Sequence, residues 1–145
     1  ILSFLCKEVY TLERHYTLSI SAMRTLSFLG RCNVFCKVGD CLTEWQEKAP
    51  FDKIVVTAAA QEPPAVLLDQ LVDGGTMIIP LGDASIQTLT SIQRKGNEFT
   101  SSSLIPCVFV PLIVQKQLLT EREGTDPQPG DGDEDAFGAD IDGEA

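Results

Sequence analysis

Histidine and tryptophan occur once each, and tyrosine and methionine twice each, in a chain of 145 residues. His15 is the only histidine, and at a strand-to-helix junction it reads as a surface or capping group more than as a catalyst, so no Ser-His-Asp or Cys-His arrangement is apparent. Cys32, Cys36 and Cys41 have spacings that fit no usual zinc pattern, so no metal site is expected. No run approaches the roughly 18 apolar residues of a membrane span, and the N-terminus lacks the layout of a signal peptide. Five scattered cysteines, an odd number, point to a reducing compartment, and the expected location is the cytoplasm.

Positive charge is also scarce. Residues 121–145 carry ten acidic side chains against one basic one, Arg122, while residues 1–120 are nearly neutral. The body therefore offers no basic footprint for nucleic acid and no polybasic membrane patch, so neither partner is expected. The tail, rich in Gly, Asp, Glu and Pro, cannot bury enough apolar surface to order itself. Its Asp131, Asp133 and Asp135 mimic the opening of a calcium-binding loop, but Ala136 stands where the turn glycine is needed and Asp142 where a bidentate Glu is required. The expected division is a folded part over residues 1–114 and a disordered acidic tail over 115–145.

What is present centres on Ala49 to Ala60. Pro50 interrupts whatever precedes it, and Ile54-Val55-Val56 is a β-branched run without alternation, as in a parallel strand covered on both faces. Thr57-Ala58-Ala59-Ala60 then leaves the backbone nearly bare at the carboxyl end of the strand, where open α/β sheets bind ligands. The same alanines would equally suit the start of a helix.

The rest of the chain alternates. Residues 1–7 read as the end of a helix and Glu8–Glu13 as a strand. Residues 17–29 read as a helix with Leu18, Ala22, Leu26 and Leu29 on one stripe, Met23 and Phe28 added to the core, and Gly30 as its stop. Asn33–Val38 is a third strand, turned by Gly39-Asp40-Cys41, and Leu42–Lys48 is a short helical or irregular piece whose Trp45 covers the core. Pro63 and Pro64 open a helix with Leu67, Leu68 and Leu71 on its buried side and Asp73-Gly74-Gly75 at its end. Thr76–Leu81 is a strand, and Gln87–Arg94 and Ser103–Val114 form a terminal antiparallel pair. Glu13 and Asp40 both sit where a carboxylate can face a ligand, Glu13 to accept from ribose hydroxyls and Asp40 from an exocyclic amine. Each would serve as well as a solvated strand-end or turn residue.

Taken in order, Val9-Tyr10-Thr11-Leu12-Glu13-Arg14-His15, Val38-Gly39-Asp40, Ala49-Pro50-Phe51-Asp52, Val56-Thr57-Ala58-Ala59-Ala60, Leu67-Leu68-Asp69-Gln70-Leu71, Asp73-Gly74-Gly75 with Ile79-Pro80-Leu81-Gly82, and Phe109-Val110-Pro111-Leu112 resemble the protein-L-isoaspartate O-methyltransferases. The resemblance implies a Rossmann-like α/β fold using S-adenosylmethionine to methylate the carboxylate of L-isoaspartyl residues in damaged proteins or peptides, as a monomer. It implies that Glu13, Asp40, Cys41, Thr57 and Ala58 bind the cofactor, and that Ala59, Ala60, Val108, Phe109 and Val110 bind the substrate. Cys41 stands where the family usually has glycine.

The resemblance also implies that the first strand, the glycine-rich cofactor loop and a substrate-binding Ser or Thr precede Ile1, which itself opens the chain inside an apolar segment. No catalytic residue can therefore be named in this chain, and the polypeptide alone is expected to be poorly stable and inactive. The alternative expectation is a non-catalytic relative that acts as a binding or adaptor module.

Overall fold

The computed structural model describes residues 1–41 and 44–113. In chain order these form α1 (Leu2–Leu5), β1 (Val9–Glu13), α2 (Tyr16–Phe28), β2 (Val34–Val38), a 3-10 turn (Gln46–Lys48), β3 (Phe51–Val55), α3 (Ala65–Asp69), β4 (Leu71–Gly82), β5 (Gln87–Lys95) and β6 (Glu98–Cys107). The strands make two sheets. β1 and β2 pair in parallel, and β3, β4, β5 and β6 form a second sheet in that order. Within it β3 and β4 are parallel, whereas β4–β5 and β5–β6 are antiparallel.

The main-chain pattern leaves the outer edges of β1 and β3 without a strand partner among the described residues. The Val9 N–H donates to the Asn33 carbonyl and the Gly39 N–H to the Glu13 carbonyl, so the odd residues of β1 face β2 and the groups of Tyr10 and Leu12 lie along the other edge. The Val56 N–H likewise donates to the Ile78 carbonyl, which puts Lys53 and Val55 on the outer edge of β3. No strand among the described residues pairs with those edges, and the resemblance puts a further strand between β1 and β3. A cluster of rings centres on Tyr10, which stacks on Phe35 at 5.1 Å, meets the edge of Trp45 at 5.0 Å, and reaches Phe51 on β3 at 5.8 Å.

The apolar core belongs to the second sheet. Leu67, Leu71, Met77, Ile79 and Ile92 are buried together, with Ile54, Val56, Ala60, Leu68 and Leu81 packed around them. α2 is different: only Ser19 is buried along it. Met23 and Phe28, expected in the core, are exposed, Phe28 at 90%, and so are Leu18 and Leu29. The periodicity of the helix was legible, but β1 and β2 alone are too narrow a platform to cover the whole stripe.

Other boundaries shift for identifiable reasons. The last strand of the expected pair begins at Glu98, not Ser103, because Thr100 to Ser103 lie on an exposed edge strand where polar side chains are tolerated. Leu71 opens β4 and does not close α3, which is only five residues long. Asp73-Gly74-Gly75 forms an irregularity within that strand, with Gly74 at φ +77, and the β3–β4 register jumps across it from Phe51↔Leu71 to Lys53↔Thr76. Val55 is exposed, so β3 is not covered on both faces. Trp45 is half-buried against Tyr10 and does not enter the core. The tail over 115–145, with Asp131, Asp133 and Asp135, and also Leu42 and Val114, lie outside the described residues.

Candidate functional site

The carboxyl ends of the parallel strands lie on one side of each sheet, and the singled-out residues collect there. Glu13 ends β1 beside Val38 of β2, and the Gly39 N–H closes the ladder onto the Glu13 carbonyl at 3.2 Å. The Glu13 side chain turns back over its own strand end: Oε1 accepts from the His15 N–H at 2.8 Å, which orients the carboxylate and fixes the entry into α2. His15 is exposed at the cap position of α2, with no side-chain capping bond, so its contribution here is a main-chain donor.

Asp40 and Cys41 follow one residue beyond β2, half-buried. Glu44 shapes this turn. Its N–H donates to the Asp40 carbonyl at 3.1 Å, and its side chain lies so close over Gly39 that any Cβ there would collide with it. Lys37 holds Glu44 and Glu47 in ion pairs of 3.0 Å each and sits 4.5 Å over the Trp45 ring. Trp45, in the left-handed region at φ 60, donates through Nε1 to the Thr11 carbonyl at 3.2 Å. Burial pushes the Cys41 thiol up to about 11, with the Asp40 carboxylate adding to the shift through its charge and a hydrogen bond. The thiol is thus neutral and tied to Asp40 at pH 7, not a nucleophile.

The second group of residues sits past β3. Ala58 is half-buried, Thr57 exposed, and the next two alanines are held on their main chains. The Ala60 N–H donates to the Pro80 carbonyl at 3.1 Å and its carbonyl accepts from the Gly82 N–H at 3.0 Å. The Ala59 N–H donates to the Val110 carbonyl at 2.8 Å, and the Ala59 carbonyl accepts from the Leu112 N–H at 2.7 Å. The bare backbone after β3 therefore docks other segments on both neighbouring alanines, and no helix starts there. Val108 and Val110 are exposed and Phe109 sits at the edge of exposure. So Glu13, Asp40 and Cys41 come together on the first sheet, while Ala59, Ala60 and Val108 to Val110 come together on the second.

A family model described as protein-L-isoaspartate(D-aspartate) O-methyltransferase matches residues 2–117. The chain belongs to this family. It is 47% identical to a protein-L-isoaspartate O-methyltransferase of Parvibaculum lavamentivorans over 116 residues, 78% of this chain and 52% of that protein. It is 48% identical to one of Aeromonas hydrophila over 113 residues, covering 78% and 55%. The chain thus spans about half the length of the relatives it matches. A Plasmodium falciparum protein-L-isoaspartate O-methyltransferase, solved in complex with S-adenosyl-L-homocysteine, superposes with a TM-score of 0.63 at 28% identity, over 73% of this chain and 52% of that one. A second structure of that name gives a TM-score of 0.69 at 24% identity, over 84% and 40%. The fold is the Rossmann-like α/β fold of these methyltransferases.

Two features of the site were not legible in the sequence. Lys37, with Glu44 and Trp45, organises the Asp40 turn, and only the i, i+3 spacing of Glu44 and Glu47 hinted at a shared cation. Gln87 is buried and bonded to Phe109, but a bulge between Leu89 and Thr90 breaks the alternation that would have marked its side as inward.

Proposed function

We propose that this chain is part of an S-adenosylmethionine-dependent protein-L-isoaspartate O-methyltransferase, acting on isoaspartyl-containing proteins or peptides as a cytoplasmic monomer, with no nucleic-acid or membrane partner. Residues 1–114 would supply part of the methyltransferase domain and 115–145 an acidic tail. The observation that carries the reading is the placement of two carboxylate-bearing residues, Glu13 and Asp40, at the ends of adjacent parallel strands within a family match over residues 2–117.

The donor set fits adenosine. Glu13 keeps Oε2 available among the described residues while Oε1 is fixed by His15, which suits acceptance from ribose hydroxyls. Asp40 and the Cys41 main chain suit the adenine, and Thr57 and Ala58 leave room for close approach at the strand end. The bound cofactor supplies an electrophilic methyl group on a sulfonium.

An isoaspartyl carboxylate is ionised at neutral pH, so no side chain has to remove a proton before attack. What the protein must do is hold the carboxylate in line and keep water away, a task suited to main-chain groups and small side chains. Ala59 and Ala60 would border the acceptor side, and Val108 to Val110 would hold the peptide. That division of labour matches a site with no acid–base pair.

The test is methyl transfer from labelled S-adenosylmethionine to paired peptides that differ only in an isoaspartyl or an ordinary aspartyl residue. The enzyme assayed is this chain joined to the residues that precede the matching stretch in the Aeromonas hydrophila relative. Label should enter the isoaspartyl peptide alone and, as expected of a methyl ester, be released as methanol on mild base treatment. Equal labelling of both peptides would contradict the reading, and no labelling would favour a non-catalytic binding module.

A further inference from the structure

Gln87 opens β5, opposite Cys107 at the end of β6, and only 3% of its surface is exposed. Its carboxamide is spent on one residue beyond the ladder. Nε2 donates to the Phe109 carbonyl at 3.0 Å, and Oε1 accepts from the Phe109 N–H at 2.6 Å. A side-chain amide carries a donor and an acceptor side by side, so it imitates the next residue of a strand and extends the β5–β6 pairing past Cys107.

The opposite edge of the same segment faces Ala59, through Val110 and Leu112. Successive residues of an extended segment direct their main-chain groups to alternate edges. With Phe109 committed to Gln87, the Val108 carbonyl and the Val110 N–H fall on the edge that meets Ala59, one step upstream of that contact. A continued parallel ladder would bring Thr57 to them, but no hydrogen bond joins Thr57 to this segment.

We propose that Gln87 is a positioning residue for peptide binding: by locking Phe109 to one edge, it presents the Val108 carbonyl and the Val110 N–H to the backbone of an extended substrate peptide lying beside Thr57 and Ala58. The inference rests on the function proposed above, since it takes the peptide to be the methyl acceptor's chain. It assigns the affinity for that peptide to main-chain pairing whose register a buried side chain sets.

The test has two readouts on the full 145-residue chain. Amide hydrogen exchange is followed in the unaltered chain and in Gln87→Met, which keeps the length and apolar bulk of the side chain. The Phe109 amide should exchange at least about tenfold faster in the variant, while Met77, Ile79 and Ile92 keep their protection, as expected for loss of two local bonds. Unprotected Phe109 in the unaltered chain, or identical exchange in both, overturns the proposal.

The second readout is binding of a fluorescent isoaspartyl peptide and of S-adenosylhomocysteine to the chain carrying the Aeromonas hydrophila upstream residues. The peptide Kd should rise about tenfold in Gln87→Met with the S-adenosylhomocysteine Kd unchanged. Gln87→Glu should bind peptide poorly at neutral pH and recover toward pH 4–5, where a protonated carboxyl again donates to the Phe109 carbonyl while accepting from its N–H. A merely structural role would not follow that pH profile. Peptide binding by the unaltered protein with equal Kd in Gln87→Met overturns the positioning role alone. Failure of the unaltered protein to bind either ligand overturns the functional reading and this inference together, even if the Phe109 amide is protected.

Discussion

In the sheet built from β3 to β6, Leu71, Met77 and Ile79 lose all exposure, whereas α2 with β1 and β2 buries only a serine. One region is held by a hydrophobic core; the other by rings around Tyr10, ion pairs on Lys37 and main-chain bonds at its strand ends. The proposed site is divided along the same line. The peptide side is built on packed structure, and the adenosine side on a layer whose apolar helix face is largely open to solvent. Local order in the second case depends on directional contacts, each worth little alone in water.

The sharpest way to break this comparison is to truncate one apolar side chain in each region. Ile79→Ala should cost about 2–5 kcal/mol in denaturant unfolding, because it opens a cavity among Leu67, Leu71, Met77 and Ile92. Phe28→Ala, a larger truncation at a residue 90% exposed, should stay within about 0.5 kcal/mol. Similar losses at both positions would show that α2 is buried in solution.

The next largest effect falls on binding. Glu13→Gln keeps the shape and the acceptor for His15 but loses the charge, and should weaken S-adenosylhomocysteine about tenfold by titration calorimetry, with little change in unfolding. A smaller gain is expected from Cys41→Gly, which removes a half-buried side chain and the thiol that engages Asp40. Affinity for the adenosine part should improve a few-fold.

Cys41 also gives a pH signature. Its thiol titrates near 9.0 when unfolded and about 11 when folded, so below pH 9 both states keep the proton and stability is unaffected. As pH rises from 9 toward 11 the unfolded chain releases the proton first, and stability falls. Cys41→Gly should abolish that part of the alkaline decline.

The smallest effect concerns the turn after β4. Asp83 accepts from the Ser85 hydroxyl and from the Ser85 and Ile86 N–H groups, and these bonds hold its carboxyl below the ordinary 3.8. The stabilisation is present above pH 3.8 and is lost as pH falls through the lower folded value. The melting temperature of Asp83→Ala should therefore differ from that of the unaltered chain at neutral pH and converge with it near pH 2.

The sequence was most readable where local and tertiary preferences agree. β1, β2 and α2 fall within about a residue of expectation, because strand composition, helical spacing and a glycine at φ +65 after α2 all point the same way. It was least readable where tertiary structure overrides pattern. The Asp73-Gly74-Gly75 irregularity looks like a helix stop, the polar Thr100 to Ser102 look like a connection, and the stripe of α2 cannot reveal how little lies beneath it. At the site, strand-end positions such as Glu13, Asp40 and Ala59 could be singled out from the chain. Gln87 could not, because its meaning lies in a contact 22 residues away.

The most direct measurement is calorimetric titration of S-adenosylhomocysteine into this chain, beside the version extended with the upstream residues of the Aeromonas hydrophila relative. The account predicts binding to the extended chain, weakened by Glu13→Gln, and far weaker or absent binding to residues 1–145 alone. Absence of binding to both would contradict an intact adenosine half-site at Glu13 and Asp40, and would leave the chain as a methyltransferase-like module without cofactor.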